Sequence, residues 1–338
     1  MMKNKSSRGS LPALLLLIIL CLNSCTAYAN KPEVRLFIDR MVEKYNFDRK
    51  QLQQLFNTVK SNRSIISSFI TPKERLTWSE YRPIFVSNKR AQKGVKFWDA
   101  HAKTLAEAEK RYGVPASIIV AILGVETRYG EITGKYRVID SLSTLSFNRT
   151  RRSDFFKQEL EQFLLLSREN PAINPNVTKG SYAGAIGKVQ FMPSSYRHLS
   201  VDATDKGYSD LINNSDDAIL SIANYLKFFG WDRAKPVAVP AHFSPQAFLH
   251  LPQSQKNFTV KNFAKYHIYP KKHTASHLKT FLIVLPLKQG NEYWLGFNDF
   301  QTIKHYNCSA LYAMAVFQLS QLINQLHQQE HLPHANKK

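Results

Sequence analysis

Cysteine is scarce in this sequence, with three in 338 residues. Three thiols are too few for a disulfide scaffold or a four-cysteine zinc site. Acid is also scarce: 25 Asp+Glu against 46 Lys+Arg leaves a formal charge of +21. Such a charge draws the chain towards a polyanion, whether nucleic acid, an anionic envelope surface or an acidic polymer. No apolar run reaches the roughly 20 residues of a stable membrane span. No internal repeat is visible. The 43% hydrophobic and 21% charged residues are an ordinary globular balance, which excludes a disordered tail protein, a collagen-like repeat and a polytopic membrane protein. The 11 histidines show no His-Glu-x-x-His or other zinc spacing. Gly-x-Ser-x-Gly is missing, and no Ser/His/Asp order is readable.

What is present at the N-terminus is an export signal. Lys3, Lys5 and Arg8 precede an apolar run from Leu11 to Leu22, broken only by Pro12, and then small residues. That is a basic start, an h-region and a cleavage zone. Two cleavage modes fit. Ala27-Tyr28-Ala29 is a small-x-small site before Asn30, which makes residues 1–29 the signal peptide. Leu22-Asn23-Ser24-Cys25 resembles a lipoprotein box, which leaves Cys25 as a lipidation candidate. Under either mode Cys308 lacks an intrachain partner, and no disulfide is expected. Loss of residues 1–29 removes three cations and lowers the charge to +18. An exported chain is expected in the periplasm, or held at the outer membrane by its lipid. Nucleic acid is then a poor partner, and wall polymer or anionic envelope surface a better one.

Periodicity predicts helices over 31–70, a long surface helix over 91–112, and a buried helix through Ile118 to Val125 that is apolar almost all round. Gly130 is its expected stop. A further helix is expected over 153–168 with Ser153 as cap, another over 216–229, and a last one over 307–327 followed by a loose polar tail. Val237–Pro240, Phe281–Leu287 and Tyr293–Phe297 read as strands, the last two joined by a turn at Gln289-Gly290-Asn291. The fold class is mainly α (α+β), with a small β-rich insertion at about 236–296.

Four clusters offer chemistry. In Gly124-Val125-Glu126-Thr127-Arg128-Tyr129-Gly130 a carboxyl ends an apolar helix. Burial and the negative end of the helix dipole both favour its protonated form, which suits a general acid. A structural ion pair with Arg128 is the alternative. Gly180 to Gly187, followed by Gln190-Phe191-Met192, is a glycine loop that a polymer can approach closely, or simply a connection between helices. It is no phosphate loop, because the Gly-Lys-Ser/Thr ending is missing. Tyr306, Asn307 and Tyr312 are suited to sugar stacking and hydrogen bonding, or to the core. Asp202 to Gly207 is a near-miss calcium loop with Lys206 at the fifth position and Asn213 at the twelfth, so an ordinary polar loop is expected and no metal.

Together these runs resemble the membrane-bound lytic murein transglycosylase B family. Also matching are Tyr81-Arg82-Pro83-Ile84-Phe85, Ser141 to Phe147, Gln190 to Tyr196, Ala223-Asn224-Tyr225, Gly230-Trp231 and Tyr306 to Val316, over roughly residues 32–325. The resemblance implies a lysozyme-like core at 113–235, a helical domain at 30–112 completed by 297–327, a β-rich domain at 236–296 and a polar tail at 328–338. It implies cleavage of the β-1,4 bond between N-acetylmuramic acid and N-acetylglucosamine, with a 1,6-anhydromuramoyl product and no cofactor. Glu126 matches the catalytic glutamate. Tyr81, Arg151, Arg152, Ser181, Gln190, Phe191, Met192, Tyr225, Tyr306, Asn307 and Tyr312 match substrate-binding positions. A monomer acting on peptidoglycan strands is expected. One departure stands out: Gly187-Lys188-Val189-Gln190 replaces a pattern such as Gly-Tyr-Gly-Gln, and with it an aromatic platform. A non-catalytic wall-binding protein and a hydrolytic muramidase are the competing readings.

Overall fold

A computed structural model of the chain describes residues 28–70, 76–148, 152–244, 251–252, 255 and 257–331. The signal run with Cys25, Arg151 and the last seven residues of the expected tail lie outside these. Among the described residues no helix is long and apolar enough to cross a membrane.

Two compact units divide at Asn57/Thr58. In the first, a 3-10 turn Tyr28–Asn30 leads into α1 (Pro32–Tyr45) and α2 (Arg49–Asn57). Pro32 suits the first helical turn, where no N–H is needed. Val34, Phe37, Ile38 and Met41 recur at three- and four-residue spacing and are buried. Phe37 meets Phe56 of α2 edge-on with centroids 5.8 Å apart. Ala29, 2% exposed, donates its N–H to Asn57 Oδ1 at 3.3 Å.

The second unit begins with α3 (Arg63–Ile70), α4 (Trp78–Phe85), α5 (Asn88–Ala100), α6 (Ala102–Tyr112) and α7 (Ala116–Thr127). The single helix expected over 91–112 is two. His101 separates them, with its N–H bonded to Phe97 and Trp98 carbonyls. No glycine or proline marks this break. The His101 ring stacks on Phe97 at 4.5 Å and meets the Asp216 carboxylate at 3.0 Å, so a contact remote in sequence holds it.

Helix α7 is the central element. Its Ile and Val residues are poor intrinsic helix formers, but burial of nearly every side chain outweighs the few tenths of a kcal/mol that each costs. It packs against α5, α6, α11 (Ser215–Phe228) and α14 (Ala310–His331). Helix α8 (Val138–Phe147) packs on α9 (Ser153–Glu169), α9 also on α10 (Pro193–Leu199), and α13 (Asn298–Tyr306) on α14. The cap of α9 is Arg152 rather than Ser153, and no side chain caps it. Helix α14 continues through His327 to His331, where a loose tail was expected, because His327 stacks on Trp98 of α5 at 4.1 Å.

Two short strands, β1 (Tyr136–Arg137) and β2 (Lys179–Gly180), pair antiparallel beside α8. The expected β-rich insertion forms β3 (Ala238–Phe243), β4 (Ile268–Pro270), β5 (Phe281–Pro286) and β6 (Asn291–Gly296), with α12 (Val260–Ala264) between β3 and β4. The antiparallel order is β4-β3-β6-β5. The β5–β6 hairpin turns where expected, on Gly290 at φ 72°. This sheet has its own core of Val239, Ala241, Val260, Phe263, Ile268, Leu295 and Phe297. Strand β4 and helices α10 and α13 lie beyond the periodicity reading, being short or weakly patterned.

Candidate active site

The end of α7 explains most of the Gly124–Gly130 run. The helix stops at Arg128, two residues before the expected Gly130, and three residues in succession take left-handed backbone: Arg128 (φ 53°), Tyr129 (φ 66°) and Gly130 (φ 92°). For a side chain larger than glycine this conformation costs about 1–2 kcal/mol, so neighbours must hold it. The Tyr129 N–H bonds to the Leu123 carbonyl at 3.0 Å, and its hydroxyl donates to the Arg90 carbonyl at 2.7 Å. The Tyr129 ring lies against α5 and α7 only because Gly94 and Gly124 lack side chains; a Cβ on either would stand 2.7 or 2.6 Å from its hydroxyl. Thr127 Oγ1 accepts from the Gly130 N–H at 3.0 Å and donates to the Lys188 carbonyl at 2.8 Å. The turn therefore fixes the direction of Glu126 in the last turn of α7.

Glu126 faces a cavity of about 610 Å³. Burial pushes its carboxyl up to about 7, against the opposing pull of one hydrogen bond. That bond comes from the Tyr312 hydroxyl, which donates to Glu126 Oε1 at 2.6 Å. Among the described residues no Lys or Arg pairs with Glu126, so the ion-pair alternative gives way to a tyrosine contact. Tyr312 belongs to the first turn of α14. Burial and the neighbouring Glu126 raise its own pKa well above the ordinary tyrosine range.

The aromatic positions converge. Phe191, Tyr225 and Tyr306 form one cluster with centroids 4.8 to 5.7 Å apart, and Tyr306 stacks towards Tyr312 at 6.4 Å. Each hydroxyl has a backbone acceptor: Tyr225 donates to the His305 carbonyl at 2.7 Å and Tyr306 to that of Val189 at 2.8 Å. These rings are wall, held in place by polar bonds to their backs. Phe191, Met192, Tyr225, Tyr306 and Asn307 all line the cavity, as do Ser181, Gln190 and Arg152. Tyr81 does not; it is 5% exposed in α4 and packs against Phe85 at 4.9 Å. Arg152 lies over the Phe155 ring at 4.2 Å, at the start of α9. Exposed Cys308 also lines the cavity.

The glycine loop is stiffer than a bare connection. Ser181 Oγ accepts from the Ala183 and Ala185 amides at 3.3 and 3.1 Å, while Ile186 and Phe191 exchange both backbone bonds. Gln190 is left-handed at φ 53°, and its side-chain amide donates to the Thr133 and Gly187 carbonyls at 2.9 and 2.8 Å. Its nitrogen thus holds the loop, and the residue lines the cavity. Gly187 (φ 75°) sits where a Cβ would fall 2.3 Å from the Leu211 carbonyl oxygen. Lys188 sends its ammonium to Ser215 Oγ at 3.0 Å and is not a lining residue. The position that replaces an aromatic therefore contributes no side chain to the cavity wall.

Sequence reasoning missed Glu159 of α9. It is 5% exposed and lines the same cavity; its Oε1 accepts from Ser194 Oγ at 2.6 Å and its Oε2 from the Ser194 N–H at 2.9 Å. Burial raises its pKa, and the Ser194 bonds oppose that. No spacing signal could have marked it, since its partner comes from the start of α10. A second cavity, of about 640 Å³, opens beside the β-rich region between Phe258, Lys279, Phe281 and Phe297; among the described residues no carboxyl lines it.

The near-miss calcium loop has turned its carboxylate inward. Asp202 accepts from the Thr204 and Gly207 amides at 2.9 and 2.8 Å, which holds it below the usual carboxylate range. With Lys206 in the ring, these residues do not fit a calcium ion.

Comparison with known proteins agrees with this geometry. A family model described as transglycosylase SLT domain matches residues 29–321. The membrane-bound lytic murein transglycosylase B of Escherichia coli K12 is 40% identical over 307 residues, 88% of this chain and 84% of that protein. The catenated lytic transglycosylase SltB1 of Pseudomonas aeruginosa superposes with a TM-score of 0.82 at 41% identity, covering 89% of this chain and 99% of that one. The E. coli lytic transglycosylase Slt35 in complex with bulgecin A gives 0.81 at 40% identity, covering 89% and 95%; that enzyme is also solved in complex with calcium. The chain has the lysozyme-like fold of these enzymes and belongs to the lytic murein transglycosylase B family.

Proposed function

We propose that Glu126 is the one acid and base with which this lytic murein transglycosylase cleaves the β-1,4 bond between N-acetylmuramic acid and N-acetylglucosamine. The observation that carries the reading is a carboxyl held near pKa 7 by burial, with one hydroxyl partner and an open cavity before it. In the resting enzyme Glu126 keeps its proton well above the usual carboxylate range, up to about pH 7. It gives its proton to the bridging oxygen as the C1–O bond breaks. The resulting carboxylate then takes the proton of the muramoyl C6 hydroxyl while O6 closes on C1. The acid is regenerated, no water is consumed and the product is a 1,6-anhydro sugar. A general acid of this kind contributes ~10²–10⁴-fold, and a pKa near the working pH suits both halves of the cycle.

The Phe191, Tyr225 and Tyr306 wall offers apolar faces to sugar rings. Arg152 at the cavity edge is placed for a lactyl or peptide carboxylate, Gln190 Oε1 for a sugar hydroxyl and Asn307 for the groove. A water-using muramidase would need a second carboxylate to activate water. Glu159 is the cavity's other glutamate, and both its oxygens are engaged by Ser194. Mass spectrometry of digested murein tests the reading: products lighter by one water than hydrolytic fragments are expected, and full hydrolytic masses would refute it. Binding without any fragments would support the non-catalytic alternative.

The chain is further proposed to be exported and cleaved before Cys25, which is then lipidated at the outer membrane. Buried Tyr28 and Ala29 support this choice, since cleavage after Ala29 would strip two packed residues from the first unit. The charge of +18 left after cleavage suits an anionic envelope surface. A monomeric state and the domain limits 30–112 with 297–327, 113–235 and 236–296 are part of the same proposal. The packing of α14 on α4, α5 and α7 supports the return of the C-terminal helix to the helical part.

A further inference from the structure

We infer that His327 and His331 of α14, with Asp99 of α5, form a zinc(II) site that clips the C-terminal end of α14 to α5. The donor atoms of the three residues lie within 4.8 Å of one another. The two histidines are four apart, so they share a helix face. Both aim Nε2 at one oxygen of Asp99, at 3.4 and 3.3 Å. A charge-assisted hydrogen bond would be shorter, about 2.7–2.9 Å. Donors bound ~2.0–2.1 Å from a tetrahedral zinc ion stand roughly 3.3–3.4 Å apart, the spacing seen between each imidazole and Asp99.

The ring orientations suit a metal. His331 Nδ1 lies 2.8 Å from the His327 carbonyl oxygen, which can only accept. Nδ1 is therefore the donor to that carbonyl, and Nε2 is the ring atom turned to Asp99, the arrangement by which ligating histidines are oriented. His327 is sandwiched between Trp98 at 4.1 Å and His331 at 4.2 Å, which fixes its ring plane. Asp99 and His331 are 43% and 51% exposed, so an ion and a water as fourth ligand have access. Two imidazoles and one carboxylate favour zinc over calcium or magnesium, which prefer all-oxygen sets. The site is separate from the cavity: Tyr312 and His327 lie on one helix, about 22 Å apart by helical rise. Bound zinc would tie down the far end of the helix whose first turn positions Tyr312.

The test is isothermal titration of zinc chloride into the untagged, chelator-treated chain, beside His331→Gln, Asp99→Asn and the double variant His327→Gln/His331→Gln. One equivalent is expected to bind, each single change to weaken it by ~100-fold or more, and the double change to abolish it. Zinc at ~100-fold over its dissociation constant should raise Tm by about 5 °C, while calcium leaves it unmoved. His331 is half exposed, and the Tm of each variant without zinc reports whether its fold is intact. No binding by the parent chain, or the same binding by a folded double variant, overturns the inference.

Discussion

One cavity holds two glutamates on different elements, and they are held differently. Glu126, at the end of α7, has a single hydroxyl partner and a pKa near 7. Glu159, in the wall formed by α9, gives both oxygens to Ser194 and so anchors the start of α10. The difference teaches that burial alone does not make an acid available. A reactive carboxyl needs an unoccupied position beside the substrate, whereas a fully bonded one builds the wall.

Breaking the comparison on the reactive side has the largest expected effect. Glu126→Gln should lower murein turnover by ~10³-fold or more, with circular dichroism unchanged. Its stability has a definite sign. The folded pKa of about 7 exceeds the ordinary glutamate value of 4.5, so between these values the folded state binds more protons, and wild-type stability falls as pH rises through 7. Glu126→Gln escapes that cost. It should gain up to about 3 kcal/mol over wild type at alkaline pH and nothing near pH 4, as read by denaturant melts. Tyr312→Phe comes next. The Tyr312 bond lowers the Glu126 pKa, so its loss should move the alkaline limb of kcat/KM upward by about one unit and cut turnover roughly tenfold. On the wall side, Glu159→Gln should cost about 1–2 kcal/mol in thermal unfolding and less than tenfold in turnover. Equal losses for Glu159→Gln and Glu126→Gln would erase the distinction. The smallest effect belongs to Lys188→Ala: with the side chain pointed at Ser215, activity should change by less than about twofold in the same murein assay.

Much of this was legible in advance, for stated reasons. Helix α7 announces itself through an apolar run, and α9 and α11 through three- and four-residue spacing. Glu126 stands out because a carboxyl ends that run. The split at His101 was hidden, because Asp216 holds it from elsewhere in the chain. Gln190 reads as a sugar contact in sequence, yet its amide nitrogen proves to close its own loop. The α14 extension through His327 and His331 was hidden for the same reason as His101: a polar stretch becomes ordered by an aromatic face, Trp98, that no local pattern reveals. Local rules name elements and strong motifs, and they miss whatever a distant partner decides.

The central claim is that Glu126 holds its proton near neutral pH. Carbon NMR titration of its side-chain carboxyl, assigned by difference from Glu126→Gln, tests that directly. A midpoint close to 7 is the predicted result; a midpoint near 4.5, with the carboxylate already ionised in the neutral resting enzyme, would contradict it.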